Sequence, residues 1–359
     1  MNPSLKVGSR SWCVLWVALA GCAANASGAY SHGGAESFRT TDSTGTAPGT
    51  SGSTGSSSGA GSAPAGTLTA GAWDDNRNYD WFTHFRTTFE ATNDPSTPPF
   101  TPAEHDAAHT RFADVHAHET LDIALVIDTT GSMGDEISYL QTEIADIATR
   151  VVAAHPGAQT RWALVAYKDD VDEYTTRSSD FDGDVTVFRS HLDAERASGG
   201  GDYPEAAAEA LQAMTALHWR TDAGTARLAF WVADAPHHER DRELLATAIR
   251  TSSSADIHVY PVASSGVDRL TEYTMRSSAQ LTGGRYLFLT DDSGIGGTHL
   301  VPSIPCFFVT RLNDAMLRMI DIELSGLYRE PEASQILRTG GDPRSGICTL
   351  STGETLQIF

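Results

Sequence analysis

Cysteine is scarce in this 359-residue chain, which has only Cys13, Cys22, Cys306 and Cys348. None of them sits in a C-x-x-C pair or at a zinc-finger spacing, so a thiolate metal module is excluded. Positive charge is also scarce: 25 Lys and Arg face 46 Asp and Glu, a net charge of −21. Residues 1–21 carry Lys6 and Arg10 and no acid, so the remainder has 23 bases against the same 46 acids. Such a surface repels phosphate backbones and argues against nucleic-acid binding. It is compatible with basic partners or divalent cations, and it also serves plain solubility. A long apolar run near the N-terminus is missing as well, because Trp12–Ala20 is too short to cross a bilayer as a permanent helix.

What stands at the N-terminus is an address. Lys6 and Arg10 precede the short apolar run, which ends in Leu19-Ala20-Gly21-Cys22. A basic region followed by a short apolar core is a secretory signal. Leu-Ala-Gly-Cys resembles the bacterial lipobox, which implies cleavage after residue 21, lipidation of Cys22 and membrane anchoring through it. The other reading is an ordinary signal cut within Ala23–Ala29. Ala23 after the cysteine implies, by the same resemblance, the outer membrane of the cell envelope. Residues 31–70 are mostly Gly, Ser, Thr, Ala and Pro. This composition buries too little apolar surface to offset ordering entropy, so residues 22–70 read as a tether. Its r.m.s. reach is roughly 35–40 Å.

Residues 71–119 form a separate segment. It opens with Ala70-Gly71-Ala72-Trp73-Asp74-Asp75-Asn76, and Phe82, Phe85 and Phe89 share one helical face. The plain expectation is that this segment docks onto the following domain. Residues 92–104 are rich in Pro and Thr and read as a loop. His105, His109, His116 and His118 follow; a zinc site is one reading of them, and a solvated histidine-rich segment is the favoured one.

The chain is organised around Leu121–Gly134, LDIALVIDTTGSMG. Its apolar run lacks strict alternation, as in a parallel strand covered on both faces. Asp128, Thr130 and Ser132 then bring one carboxylate and two hydroxyls to a single side, a donor set for a hard divalent cation. An amphipathic helix over Asp135–Ala154 follows, with Ile137, Leu140, Ile144, Ile147 and Val151 as its buried stripe. Its N-terminal amides face the same point. Arg161–Tyr167 is a second buried strand, leading to an acidic loop, Lys168–Glu173, read as a surface loop with an auxiliary cation site as the alternative. Val185–Phe188 is a short strand candidate. Gly199–Glu205 leads into a helix over Ala206–Leu217 with Pro204 at its start. Leu228–Ala233 is a third apolar strand, ending at Asp234. His237 and His238 beside it read as an exposed pair. A helix over Glu239–Arg250, a strand over Ile257–Val262, a helix over Val267–Leu281 closed by Gly283-Gly284, a last strand over Arg285–Leu289, and a closing helix marked by Leu312, Met316, Met319 and Ile320 complete the alternation. This order predicts an α/β domain, doubly wound, with a mostly parallel central sheet and helices on both faces.

D-x-[ST]-x-S closing a hydrophobic strand resembles the metal-ion-dependent adhesion site of von Willebrand factor A (vWA) domains, over about residues 120–327. The set "DTTGSM", "AYxD", "GGGDxPEA" and "ADAP" is similar to the vWA domains of alpha-kinase-type and bacterial secreted proteins. The resemblance implies Asp128, Thr130 and Ser132 as first-loop ligands, Asp234 in the third loop, and Asp202 where the family usually has Thr. It implies Mg²⁺, or Ca²⁺ or Mn²⁺, as the cofactor, and protein–protein interaction or adhesion as the function, with another envelope or extracellular protein as partner. A third aspartate would leave the loaded site at −1 and disfavour acidic ligands. No catalytic residues are expected. A metal-assisted hydrolase with Glu205 or His237 as base is one alternative, and a metal-free scaffold is another. Beyond the domain, residues 328–359 read as a tail with a terminal hairpin. In an exported protein Cys306 and Cys348 are expected to pair, the alternative being two free buried thiols.

Overall fold

The computed structural model describes residues 67–72, 79–111, 116–201, 203–345, 347–350 and 352–357. Cys22, residues 22–66 of the expected tether and Asp202 lie outside the described residues, and the tether's expected end is corrected: Leu68, Thr69 and Ala70 are fully buried, the latter two in the sheet.

Among those residues a nine-stranded sheet is built from β1 (Thr69–Ala72), β2 (Thr120–Asp128), β3 (Gln159–Tyr167), β4 (Thr176–Asp182), β5 (Thr225–Ala233), β6 (His258–Ala263), β7 (Leu287–Leu289), β8 (Phe307–Arg311) and β9 (Arg338–Gly340). The spatial order is β4-β3-β2-β5-β6-β7-β1-β8-β9. Strands β3, β2, β5, β6 and β7 run parallel, whereas β4 at one end and β1, β8 and β9 at the other pair antiparallel. The central strands are apolar at nearly every position because both faces are covered. On one face lie α3 (Gly134–Ala154), α4 (Val185–Ala194) and α8 (Leu312–Ser325). On the other lie α5 (Ala207–Thr215), α6 (Arg242–Ser254) and α7 (Arg269–Thr282). The doubly wound α/β fold expected from the sequence is the fold observed. None of the described helices is long and apolar enough to cross a membrane.

Several elements differ from expectation. Val185–Phe188 opens α4 rather than a strand: Asp184 caps it, its carboxylate accepting the Thr186 N–H at 2.8 Å, and Phe188 and Leu192 turn inward one helical turn apart. The helix after the glycine-rich loop begins at Ala207, three residues beyond Pro204. Leu287–Leu289 is not the last strand, since β8 and β9 continue the sheet.

The residues before β2 pack against the sheet and its helices. β1 lies between β7 and β8, pairing with both. Helix α1 (Tyr79–Glu90) brings Phe82, Phe85 and Phe89 against α7, where Phe89 stacks on Tyr273 with ring centroids 4.6 Å apart. The guanidinium of Arg276, fully buried, lies 4.2 Å from the Phe85 ring centroid. Helix α2 (Pro102–Arg111) begins inside the stretch expected to be a loop. On it His105 is buried rather than solvated, its Nδ1 2.5 Å from Gln280 Oε1. Covered on its outer side in this way, α7 is buried at every position from Thr271 to Thr282. At the other end of the chain Cys306 and Cys348 are joined in a disulfide, with Cα atoms 6.0 Å apart. It ties β8 to a small antiparallel sheet of β10 (Pro343–Arg344), β11 (Ile347–Thr349) and β12 (Thr355–Gln357).

Candidate metal centre

The parallel register sets the site. Asp128 pairs with Tyr167 across β2 and β3, and Ile127 pairs with Val232 across β2 and β5. Asp234, the first residue past β5, therefore emerges beside Asp128 at the carboxyl ends of the strands, where open α/β sheets gather ligands. After Asp128 the chain does not stay extended; Gly131–Met133 forms a single 3₁₀ turn that runs directly into α3. That turn, rather than strand alternation, brings Thr130 and Ser132 together, their hydroxyl oxygens 3.0 Å apart. Asp128 Oδ1 accepts the Thr130 N–H at 2.8 Å and its hydroxyl at 2.7 Å. Ser132 hydrogen-bonds Asp234 and holds that carboxyl down in part. The four side chains thus form one hydrogen-bonded chain, buried at Asp128, Thr130 and Asp234 and open to solvent at Ser132.

Among the described residues, the carboxylate oxygens buried here without a hydrogen-bond partner include Asp128 Oδ2, Asp234 Oδ1, Glu136 Oε2 and Glu205 Oε2. Burial pushes Asp128 up from the usual carboxylate range, and the charge of Asp234 adds to it. Asp234 is raised too, by burial and by Glu136. Glu205 is pushed up to about 9, by burial first and then by Asp128, Asp169, Asp234 and Asp172. Buried anionic oxygens without partners are costly, and a hard divalent cation is the group that their chemistry suits. The donor set of two carboxylates and two hydroxyls fits such an ion.

Around it the loops are fixed by glycine and by one lysine. Gly199 and Gly200 have φ of 75° and 68°, and a Cβ on Gly199 would meet Asp172 Oδ1 at 2.1 Å. Asp172 Oδ2 accepts the Gly200 N–H at 2.8 Å, and Gly131 N–H donates to the Gly199 carbonyl at 2.9 Å. Lys168, buried rather than displayed on a surface loop, donates to the carbonyls of Thr129 and Ser198 and, at 3.3 Å, to that of Arg196. Burial lowers its pKa. Nothing in the sequence pattern marks this lysine as a clamp between the first and second loops.

His237 and His238 are buried, which corrects the expectation of an exposed pair. His237 Nε2 donates to the Ser96 carbonyl at 2.9 Å, under the loop that precedes α2. His238 Nε2 lies 2.6 Å from Asp169 Oδ1. Asp169, Asp170 and His238 offer one ligand atom each, all within 4.8 Å of one another, and form a second possible metal-binding cluster beside the first. Its charges are already met in part, because Arg240 pairs with Asp170.

Residues 122–296 match the family model of the von Willebrand factor A domain. The alpha-protein kinase vwkA of Dictyostelium discoideum is 26% identical over 128 residues, 35% of this chain and 20% of that protein. The chain spans about one fifth of the length of the curated relatives it matches. Among solved structures, BatB, a conserved hypothetical protein of Bacteroides thetaiotaomicron, is similar with 15% identity and a TM-score of 0.35, covering 47% of this chain and 89% of that one. The pilus adhesin SpaC of Lactobacillus rhamnosus GG is similar at 13% identity and a TM-score of 0.35, covering 47% of this chain and 28% of that one.

Proposed function

Because this chain carries a von Willebrand factor A domain over residues 122–296, we propose that it binds a divalent cation and uses the loaded site to hold a partner protein. The cation is Mg²⁺, or Ca²⁺ or Mn²⁺ in its place, and the ligands are Asp128, Thr130, Ser132 and Asp234, with Asp202 contributed from the second loop. The observation that carries the reading is the hydrogen-bonded chain from Asp128 to Asp234, with an unpartnered buried carboxylate oxygen on each aspartate. The reading is of binding rather than catalysis. The Ser132 hydroxyl is engaged by Thr130 and Asp234, and His237, the tempting base, is committed to the Ser96 carbonyl.

The site is presented from a membrane. We read Cys22 as lipidated, the following Gly/Ser/Thr-rich residues as the tether, and the partner as another protein of the cell envelope or its surroundings. Metabolic labelling with a fatty acid that survives Cys22→Ala would overturn the anchor. For the site, Mg²⁺ should raise the melting temperature of wild type and leave Asp128→Ala unmoved. A pull-down from envelope extract should recover the partner with wild type in Mg²⁺ and lose it in chelator or with Asp128→Ala. Melts insensitive to Mg²⁺, Ca²⁺, Mn²⁺ and chelator alike would point to the scaffold reading instead.

A further inference from the structure

We infer that Lys168 sets the cation preference of the site, by holding its first and second loops at a spacing that suits Mg²⁺ rather than the larger Ca²⁺. The inference rests on the cation-binding reading and adds to it the residue that selects among the ions.

Lys168 is the first residue past β3 and is 2% exposed. An ammonium has three protons to donate. Here its partners are the carbonyls of Thr129, Ser198 and Arg196, together with the Ser198 hydroxyl at 3.2 Å. Thr129 stands between the ligands Asp128 and Thr130, and Ser198 leads into the glycine-rich loop that runs on to Asp202. One side chain therefore bridges the two loops through their backbones. The lysine is itself fixed. Its N–H donates to the Thr175 carbonyl at 3.1 Å, and its carbonyl accepts the Ala206 N–H at 3.3 Å.

Thr129 is held on every polar group it has. Its N–H donates to the Tyr167 carbonyl at 2.9 Å, and its carbonyl accepts the Ser198 N–H at 3.1 Å as well as the ammonium. Its hydroxyl donates to the same Tyr167 carbonyl and lies 2.8 Å from the Tyr174 hydroxyl. The ligands on either side of it are positioned accordingly.

Mg²⁺ demands near-octahedral oxygens at about 2.1 Å, whereas Ca²⁺ takes them at about 2.3–2.6 Å in looser geometry. Loops clamped close together serve the first ion, and loops free to part by a few tenths of an ångström serve the second. The ammonium charge repels either ion, but it repels two divalent ions alike. The ratio of Mg²⁺ to Ca²⁺ affinity therefore separates the clamp from the charge.

The test is calorimetric titration of the full chain in detergent with each ion alone. Lys168→Met keeps the length of the side chain and loses its donors. Its Mg²⁺ affinity should fall about tenfold or more and its Ca²⁺ affinity change by less than about threefold. A lysine with a merely structural role would weaken both ions equally. A Mg²⁺-to-Ca²⁺ ratio within twofold of wild type would overturn the inference and leave the cation site standing, as would a wild type that prefers Ca²⁺. If wild type binds neither ion, the cation reading fails and the inference with it. Should Lys168→Met not fold, Lys168→Gln is shorter and keeps a single amide, and an unchanged ratio in that variant overturns the proposal.

Discussion

His258 and Glu323 show how this chain places charge inside its core. His258 Nδ1 lies 2.7 Å from Glu323 Oε1, and the Tyr260 hydroxyl donates to the same oxygen. Burial alone would lower the histidine and raise the acid. The two charges outweigh burial, so His258 rises to about 10 and Glu323 falls to about 2. The signs follow from linkage. The contribution of Glu323 is complete above its ordinary 4.5 and lost as pH falls toward about 2. That of His258 is complete below its ordinary 6.5 and fades as pH rises toward about 10. The melting-temperature gap between wild type and His258→Gln should therefore be widest between pH 4.5 and 6.5 and shrink steadily to pH 9. A gap that grows above pH 7 would show that the pair is not charged as described. Individual residues of the site were unequally legible. Asp128 and Asp234 announce themselves because each ends an unbroken apolar strand, where a carboxylate has no packing reason to be. Lys168 sits in an acidic run and reads as solvated, and only the fold shows its ammonium buried against loop carbonyls. His237 and His238 misread for a related reason: their burial comes from Ser96 and from Asp169, 141 and 69 residues away in sequence.

Elements were legible in proportion to how much of their environment is local. β2, β3 and β5 are long apolar runs, and α3 and α7 carry helical periodicity or a glycine stop, so each declares itself. β1 has four residues, Thr-Ala-Gly-Ala, at the edge of a Gly/Ser/Thr-rich stretch, and nothing local calls for a strand. Its identity comes from its neighbours. Gly71 lies against Phe288, and a Cβ there would stand 2.1 Å from the ring's Cζ. Its glycine is therefore the register mark of this strand, since in a pair with strands on both sides neither backbone can retreat. Phe288 is itself buried and packs edge-on against Phe307, with centroids 5.2 Å apart. Gly71→Val should dislodge β1, cost about 3 kcal/mol as overpacking does, and open residues 67–72 to limited proteolysis. Unchanged urea midpoint and protease resistance would mean that β1 is held from elsewhere.

At the scale of the molecule the sheet has two regions with separate tasks. The parallel strands β2 and β5 carry the candidate metal centre, whereas the antiparallel end, three strands beyond β5, collects the two ends of the described chain. β1 enters there from the N-terminal side, β9 from the C-terminal side, and the Cys306–Cys348 disulfide fastens the small terminal sheet to β8. The bonded cysteines are both fully buried and 42 residues apart in sequence. On the chain-entropy account, closing a loop of that length removes about 4 kcal/mol of denatured-state freedom. Paired substitution of both cysteines by serine should lower stability in urea by up to that amount. It should leave Mg²⁺ affinity within twofold of wild type, because sites without shared partners add independently. A loss of Mg²⁺ binding that tracks the disulfide would mean instead that the antiparallel end positions the loops of the centre, and the two regions would have to be treated as one coupled unit.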